Sequence, residues 1–171
     1  MSNYPLDDQV SSWPVADIVD AWTRELPDVH TDSIAVITPL WRTAKALADD
    51  RRRTLSALGV DPSTLDLLSV IRRAGPPYEL TTREITRRTL VTAGAISQRI
   101  ARAEEAGLVE RAPSTASRRA VAVRLTDAGH RLIELTVRQL LAHESQLVAS
   151  LTAAERSVLA DSLAKINAAL L

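Results

Sequence analysis

The chain has 171 residues, 46% of them apolar, with no Cys and no Phe. No apolar run is long enough to span a membrane, and the lack of Cys excludes disulfides and thiol redox chemistry. Net charge is zero but segregated: residues 1–50 hold nine acids and three bases, a balance of −6, while residues 81–131 hold ten arginines and five acids, a balance of +5. Such a basic segment is the electrostatic footprint that phosphate binding needs, although taken alone it also fits a solvated basic face. The length suits one domain with an ample core. Asp7 and Asp8, with no apolar leader around them, predict a cytoplasmic protein.

In chain order, residues 1–13 show little periodicity. Val15–Glu25 is helical by pattern and stops before Pro27. A long helix is predicted from Thr31 to about Leu58, with Ile34, Ile37, Leu40, Trp41, Ala44 and Leu47 apolar. Pro39 should kink or divide it, because proline has no N–H and crowds the preceding turn. Gly59-Val60-Asp61-Pro62 is a stop and a restart, with Gly59 ending one helix, Asp61 capping the next and Pro62 at its first position. That next helix runs to Ala74, and Gly75-Pro76-Pro77 is a rigid break. Thr81 with Glu84 forms a capping box for a short helix that stops near Leu90. A second helix runs from Thr92 to Gly107. The period then drops from 3.6 to about 2. Leu108–Arg111 and Ala120–Leu125 read as strands, and Pro113 to Arg119 as the turn between them. Thr126 to Ser150 is a long amphipathic helix, and Thr152 with Glu155 caps a last helix that reaches about Leu170.

Helix, helix, hairpin is a winged helix-turn-helix. The fold class is therefore mainly α with a small β-hairpin wing, flanked by terminal dimerisation helices. One domain divides into N-terminal and dimerisation helices (1–58), the winged helix-turn-helix (61–126) and C-terminal dimerisation helices (127–171). On the second helix, Ile96, Ile100 and Ala103 share a stripe that must face a core. Gly94, Gln98 and Ala101 lie opposite, flanked by Ser97. A face that small and polar can lie against a DNA groove. The candidate DNA contacts are Thr92, Gly94, Ser97, Gln98 and Arg102 on this helix, with Arg118 and Arg119 of the wing reaching a minor groove or phosphates.

The terminal helices carry surplus apolar residues, among them Leu132, Ile133, Leu140, Leu141, Leu147, Val148, Leu159, Leu163, Ile166 and Leu170. Two readings fit: a self-contained helical core, or the favoured one, a homodimer suited to two half-sites.

With these elements placed, residues 31–171 resemble the MarR family of winged-helix regulators. The resemblance rests on Leu65–Thr81 (LDLLSVIRRAGPPYELT), Gly94–Ile100 (GAISQRI), Ala106–Arg111 (AGLVER) and Val123–Gly129 (VRLTDAG). It implies a dimeric repressor that leaves DNA when a small, often anionic or phenolic molecule binds. One departure bears on wing rigidity: the family's wing usually has acids before its arginine pair, whereas here Ser114-Thr115-Ala116-Ser117 precedes Arg118 and Arg119.

The extra N-terminal helix resembles that of a urate-responsive branch of the family. That likeness implies a ligand site of Trp22, Asp66, Arg99 and Arg111, with Trp13 a rival for the Trp position. On the helical wheel Arg99 lies about 60° from Ile96 and about 100° from Gln98, beside the core stripe and poorly placed to read bases. Asp66 sits at the edge of its helix's apolar arc, near Val70. Half-buried charges need partners. Asp66 either pairs with an arginine as a structural bridge or belongs to an anion pocket. In the pocket reading Trp22 is a stacking wall, and Arg99 or Arg111 grips a carboxylate or urate-like oxygen.

No enzyme is expected, since no nucleophile motif is present, and no cofactor or metal, since His30, His130 and His143 are scattered. The expected partners are a double-stranded DNA operator, a small anionic ligand and a second copy of the chain. Two alternatives remain: a helical protein-interaction dimer with a vestigial winged helix, and a regulator answering to a phenolic or antibiotic ligand. Salt-dependent DNA affinity separates the first from the DNA-binding reading.

Overall fold

A computed structural model describes residues 13–89, 91–114 and 121–170. It divides into two compact units, one ending at Arg53 and one starting at Thr54. The first contains α1 (Val15–Glu25) and most of α2 (Ile34–Ala57). At the end of α1 the Leu26 N–H closes onto the Trp22 carbonyl at 2.8 Å, just before Pro27. α2 is not divided at Pro39 and runs through it as one helix. Pro39 lies in the second turn, where the missing N–H removes a single ladder bond that the long stretch after it outweighs.

The second unit holds α3 (Pro62–Arg72), β1 (Glu79–Thr81), α4 (Thr82–Thr89), α5 (Ala93–Glu105), β2 (Val109–Pro113), β3 (Val121–Leu125), α6 (Asp127–Leu147) and α7 (Ala153–Ala168). The expected helices and the hairpin are all present, with bounds shifted by a few residues. β1 was not expected. The sheet runs β1-β3-β2, antiparallel throughout. In one register Glu79 faces Arg124 and Leu80 faces Val123; in the other, Glu110 faces Arg124 and Val109 faces Leu125. β1 is reached through a turn in which the Tyr78 N–H bonds the Gly75 carbonyl at 2.7 Å. Tyr78 has φ 57, an uncommon conformation for a residue with a Cβ. Its ring is held on two sides: the Arg72 guanidinium stacks 4.4 Å above it, and His130 meets it edge-on at 4.7 Å.

The core gathers around α3. Leu67, Leu68 and Ile71 of α3 pack with Leu80 of β1, Ile85 of α4, Ile96 and Ile100 of α5, Val109 and Val123 of the sheet, and Ile133 of α6. α6 buries one stripe (Gly129, Ile133, Thr136, Leu140), and the Thr136 hydroxyl donates to the Leu132 carbonyl at 2.8 Å. α7 buries no residue. None of the described helices is long and apolar enough to cross a membrane.

Local chemistry sets the boundaries. Thr81 and Glu84 cap α4 reciprocally, and hydrogen bonds from Thr81 hold the Glu84 carboxyl below its ordinary range. Thr152 and Glu155 do the same for α7. At α3 the Asp61 carboxylate accepts from the Ser63 and Thr64 N–H groups, each at 3.0 Å, from the Ser63 hydroxyl at 2.6 Å and from the Thr64 hydroxyl. These bonds, the two hydroxyls foremost, pull its pKa down to about 2. A depressed acid contributes stability above its unfolded pKa of about 3.9 and loses it as pH falls through its folded value. Asp61→Ala should therefore cost about 1 kcal/mol at neutral pH. Urea melts at stepped pH should show parent and variant converging between about pH 4 and pH 2.

Candidate nucleic-acid interface and anion site

α5 is locked on one side and open on the other. Ile96, Ile100 and Ala103 are buried, while Gly94, Ser97, Gln98, Ala101 and Arg102 are exposed. The Thr92 hydroxyl caps the helix by accepting from the Ala95 N–H at 3.4 Å. Ser97 donates to the Ala93 carbonyl at 3.0 Å, which fixes its rotamer and leaves the oxygen free to accept. A Cβ at Gly94 would meet nothing within 4 Å, so the missing side chain opens this end of the helix to a close neighbour. Gly107, at φ 69, ends the segment and turns the chain into β2. Four of the candidates, Gly94, Ser97, Gln98 and Arg102, thus share the outward side of α5 with Ala101, and Thr92 stands exposed at the helix start as its cap. Arg118 and Arg119 lie outside the described residues.

Sequence reasoning missed a second basic row. On α4, Ile85 is buried, and Arg83, Arg87 and Arg88 are exposed. Arginines at i, i+4 and i+5 around one buried residue were the available signal. α4 packs on both α3 and α5.

Of the four residues proposed to bind an anion, the structure pairs two. Arg99 Nη1 stands 3.7 Å from Asp66 Oδ2, with the Arg99 side chain 22% exposed and that of Asp66 59%. Asp66 is thus more open than its place on the wheel implied. The contact is an ion pair without a hydrogen bond, and Arg99 Nη1 is buried with no hydrogen-bond partner. Such an atom carries a desolvation cost that a suitably placed acceptor removes. Arg111 pairs instead with Glu104, Nε to Oε2 at 3.3 Å. Trp22 on α1 belongs to the first unit and is half exposed, as is Trp13. Among the described residues, no group of three or more His, Cys, Asp or Glu side chains can hold a metal ion.

Comparison with known proteins points to one family. A family model described as the MarR family matches residues 58–120. The HTH-type transcriptional regulator PecS of Dickeya dadantii (strain 3937) is 28% identical over 153 residues, covering 90% of this chain and 92% of that one. The reduced form of MarR from E. coli is 30% identical, with a TM-score of 0.58 over 75% of this chain and 96% of that one. A mutant of the same protein, complexed with operator DNA, is 26% identical, with a TM-score of 0.60 over 81% and 99%. The matched residues run from the end of α2 through the helix-turn-helix into the hairpin, and the wider likenesses extend over most of the chain. The chain belongs to the MarR family of transcriptional regulators, which are not enzymes.

Proposed function

We propose that this chain is a cytoplasmic repressor that binds a near-palindromic operator as a homodimer and leaves it when a small anion binds. The observation that carries the DNA reading is the two-sided α5, with its apolar stripe held in the core and Gly94, Ser97, Gln98, Ala101 and Arg102 facing outward. Gln98 is the base reader, because its amide offers a donor and an acceptor together. Ser97 and Arg102 contact backbone or base edges beside it. Thr92 sits at the helix end, where backbone N–H groups favour a phosphate. Arg83, Arg87 and Arg88 of α4 add phosphate contacts, as do Arg118 and Arg119 of the wing. That a mutant of E. coli MarR forms a complex with operator DNA supports the DNA-binding reading.

The dimer reading is supported by exposed apolar residues on the terminal helices: Val36, Ile37 and Leu47 on α2, Leu141 and Leu147 on α6, and Val158, Leu159 and Leu163 on α7. Two recognition helices, one from each protomer, fit half-sites with centres roughly 10 base pairs apart. Sedimentation of the protein with labelled DNA from upstream of its own gene tests both readings together. The expected complex holds two protomers per duplex and dissociates steeply as salt rises. A monomer at micromolar concentration, or affinity that ignores salt, contradicts the proposal.

The ligand is an anion with carboxylate or urate-like oxygens. Arg99 grips it, since its buried Nη1 has an unmet hydrogen bond, and Trp22 is the stacking candidate that the family resemblance implies. Asp66 is pushed off by the incoming charge, and Arg111 joins by leaving Glu104. Urate, trans-aconitate, citrate and salicylate are the compounds to try.

A further inference from the structure

The wing sheet has a second charged row, on the face away from the core. Leu80, Val123 and Leu125 point into the core; by strand alternation, Glu79 and Arg124 point to the other side. The register aligns Glu79, Arg124 and Glu110 across β1, β3 and β2. A carboxylate on that side would ordinarily be solvated, yet the Glu79 side chain is only 6% exposed. Arg124 Nη2 donates to Glu79 Oε2 at 3.3 Å, and Arg124 Nη1 stands 3.9 Å from Glu110 Oε1. The last rung of the hairpin pairs Pro113 with Val121. Ser114, the first residue beyond it, donates its hydroxyl to Glu79 Oε1 at 3.4 Å.

A buried acid in a three-residue strand is a poor stability device. Burying an ion pair seldom repays its desolvation, and Arg124 Nε is buried with no hydrogen-bond partner. The arrangement gives direction instead. One carboxylate binds the root of the wing on the β2 side through Ser114 and on the β3 side through Arg124. We propose that Glu79 is a positioning residue for DNA binding: the Glu79–Arg124–Ser114 contacts fix the stems of the wing and so set how the residues after Ser114 meet DNA. This inference rests on the DNA-binding reading above, in particular on the wing arginines.

Fluorescence anisotropy on the upstream DNA, over a salt series, tests it in two backgrounds. Glu79→Gln keeps the size but removes the charge and turns one of the two acceptor oxygens into an N–H donor. In the parent it should weaken DNA affinity about tenfold and flatten the salt slope. In a chain already carrying Arg118→Ala and Arg119→Ala, the further loss should be under about twofold, because a residue acting through the arginines has nothing left to position. Equal losses in both backgrounds, or no loss in the parent, overturn the inference. If the double arginine variant itself binds as tightly as the parent with the same salt slope, the wing contact fails, and the inference fails with it. Ser114→Ala removes only one hydroxyl and guards against a Glu79 variant that does not fold. It should cost about threefold in the parent, with the same dependence on the arginines; independence from them overturns the inference.

Discussion

Gly129→Ala should destabilise the second unit by about 3 kcal/mol, at the upper end of what overpacking costs. A Cβ at Gly129 would lie 2.0 Å from the Leu108 carbonyl oxygen and 3.1 Å from its carbon. Both sides of this contact are pinned. The Thr126 N–H bonds that same Leu108 carbonyl at 3.1 Å, the Thr126 hydroxyl donates to the Gly107 carbonyl at 2.7 Å, and the Gly129 N–H in turn bonds the Thr126 hydroxyl at 3.1 Å. The clash is therefore of a Cβ fixed by its own backbone against the Leu108 backbone, with no flexible side chain to move aside. The displaced segment would be the Gly107–Leu108 turn that ends α5, so DNA affinity should fall along with stability. Thermal melts should show a loss of roughly 10 °C. Gly94→Ala meets open space and serves as the control for adding a methyl group. A Gly129→Ala melting temperature within about 2 °C of the parent would mean that α6 is free to slide at its start, contrary to the hydrogen bonds described.

Arg99→Ala should abolish the response to an anion while leaving the fold and much of the DNA binding intact. The stability cost should be small. Asp66 is more than half exposed, so water takes over its solvation, and ion pairs with an exposed member are worth under about 1 kcal/mol. Removing Arg99 also removes a buried nitrogen that lacks a partner. Release of DNA requires that the ligand prefer the DNA-free shape. A tenfold loss of affinity needs about 1.4 kcal/mol of preference, within reach of one charge-assisted hydrogen bond. In the parent, a small anion should dissociate the DNA complex and quench Trp fluorescence, with Trp22→Phe as the control for background from Trp13 and Trp41. If Arg99→Ala responds to the same anion as well as the parent does, the pocket is elsewhere.

What was legible in the sequence divides by range. The caps at Asp61, Thr81, Thr92 and Thr152 each rest on side-chain to backbone bonds spanning two or three residues, so residue type at fixed spacing reveals them. The locked and open sides of α5 follow from its helical period alone. β1 was not legible: Glu79-Leu80-Thr81 is too short to show alternation, and its partner strand lies some forty residues away. The burial of Glu79 was hidden for the same reason, since its partners Arg124 and Ser114 come from other elements. Pro39 does not divide α2, because the length of helix around it outweighs one missing ladder bond. The pairing of Arg99 with Asp66 was one of two open readings, because the wheel places both charges beside the core without fixing their separation. The Arg111–Glu104 pair bridges β2 and α5, and nothing local announces it.

On the proposed function, α5 reads DNA through its outward side. The most direct test is a competition between the operator and a scrambled duplex of equal length at one fixed salt concentration, for the parent and for Gln98→Ala. Because a bidentate amide contributes about 1–3 kcal/mol of base discrimination, the variant should lose about tenfold or more in selectivity while keeping its affinity for the scrambled duplex. Selectivity in Gln98→Ala equal to that of the parent would contradict the assignment of this face to the groove.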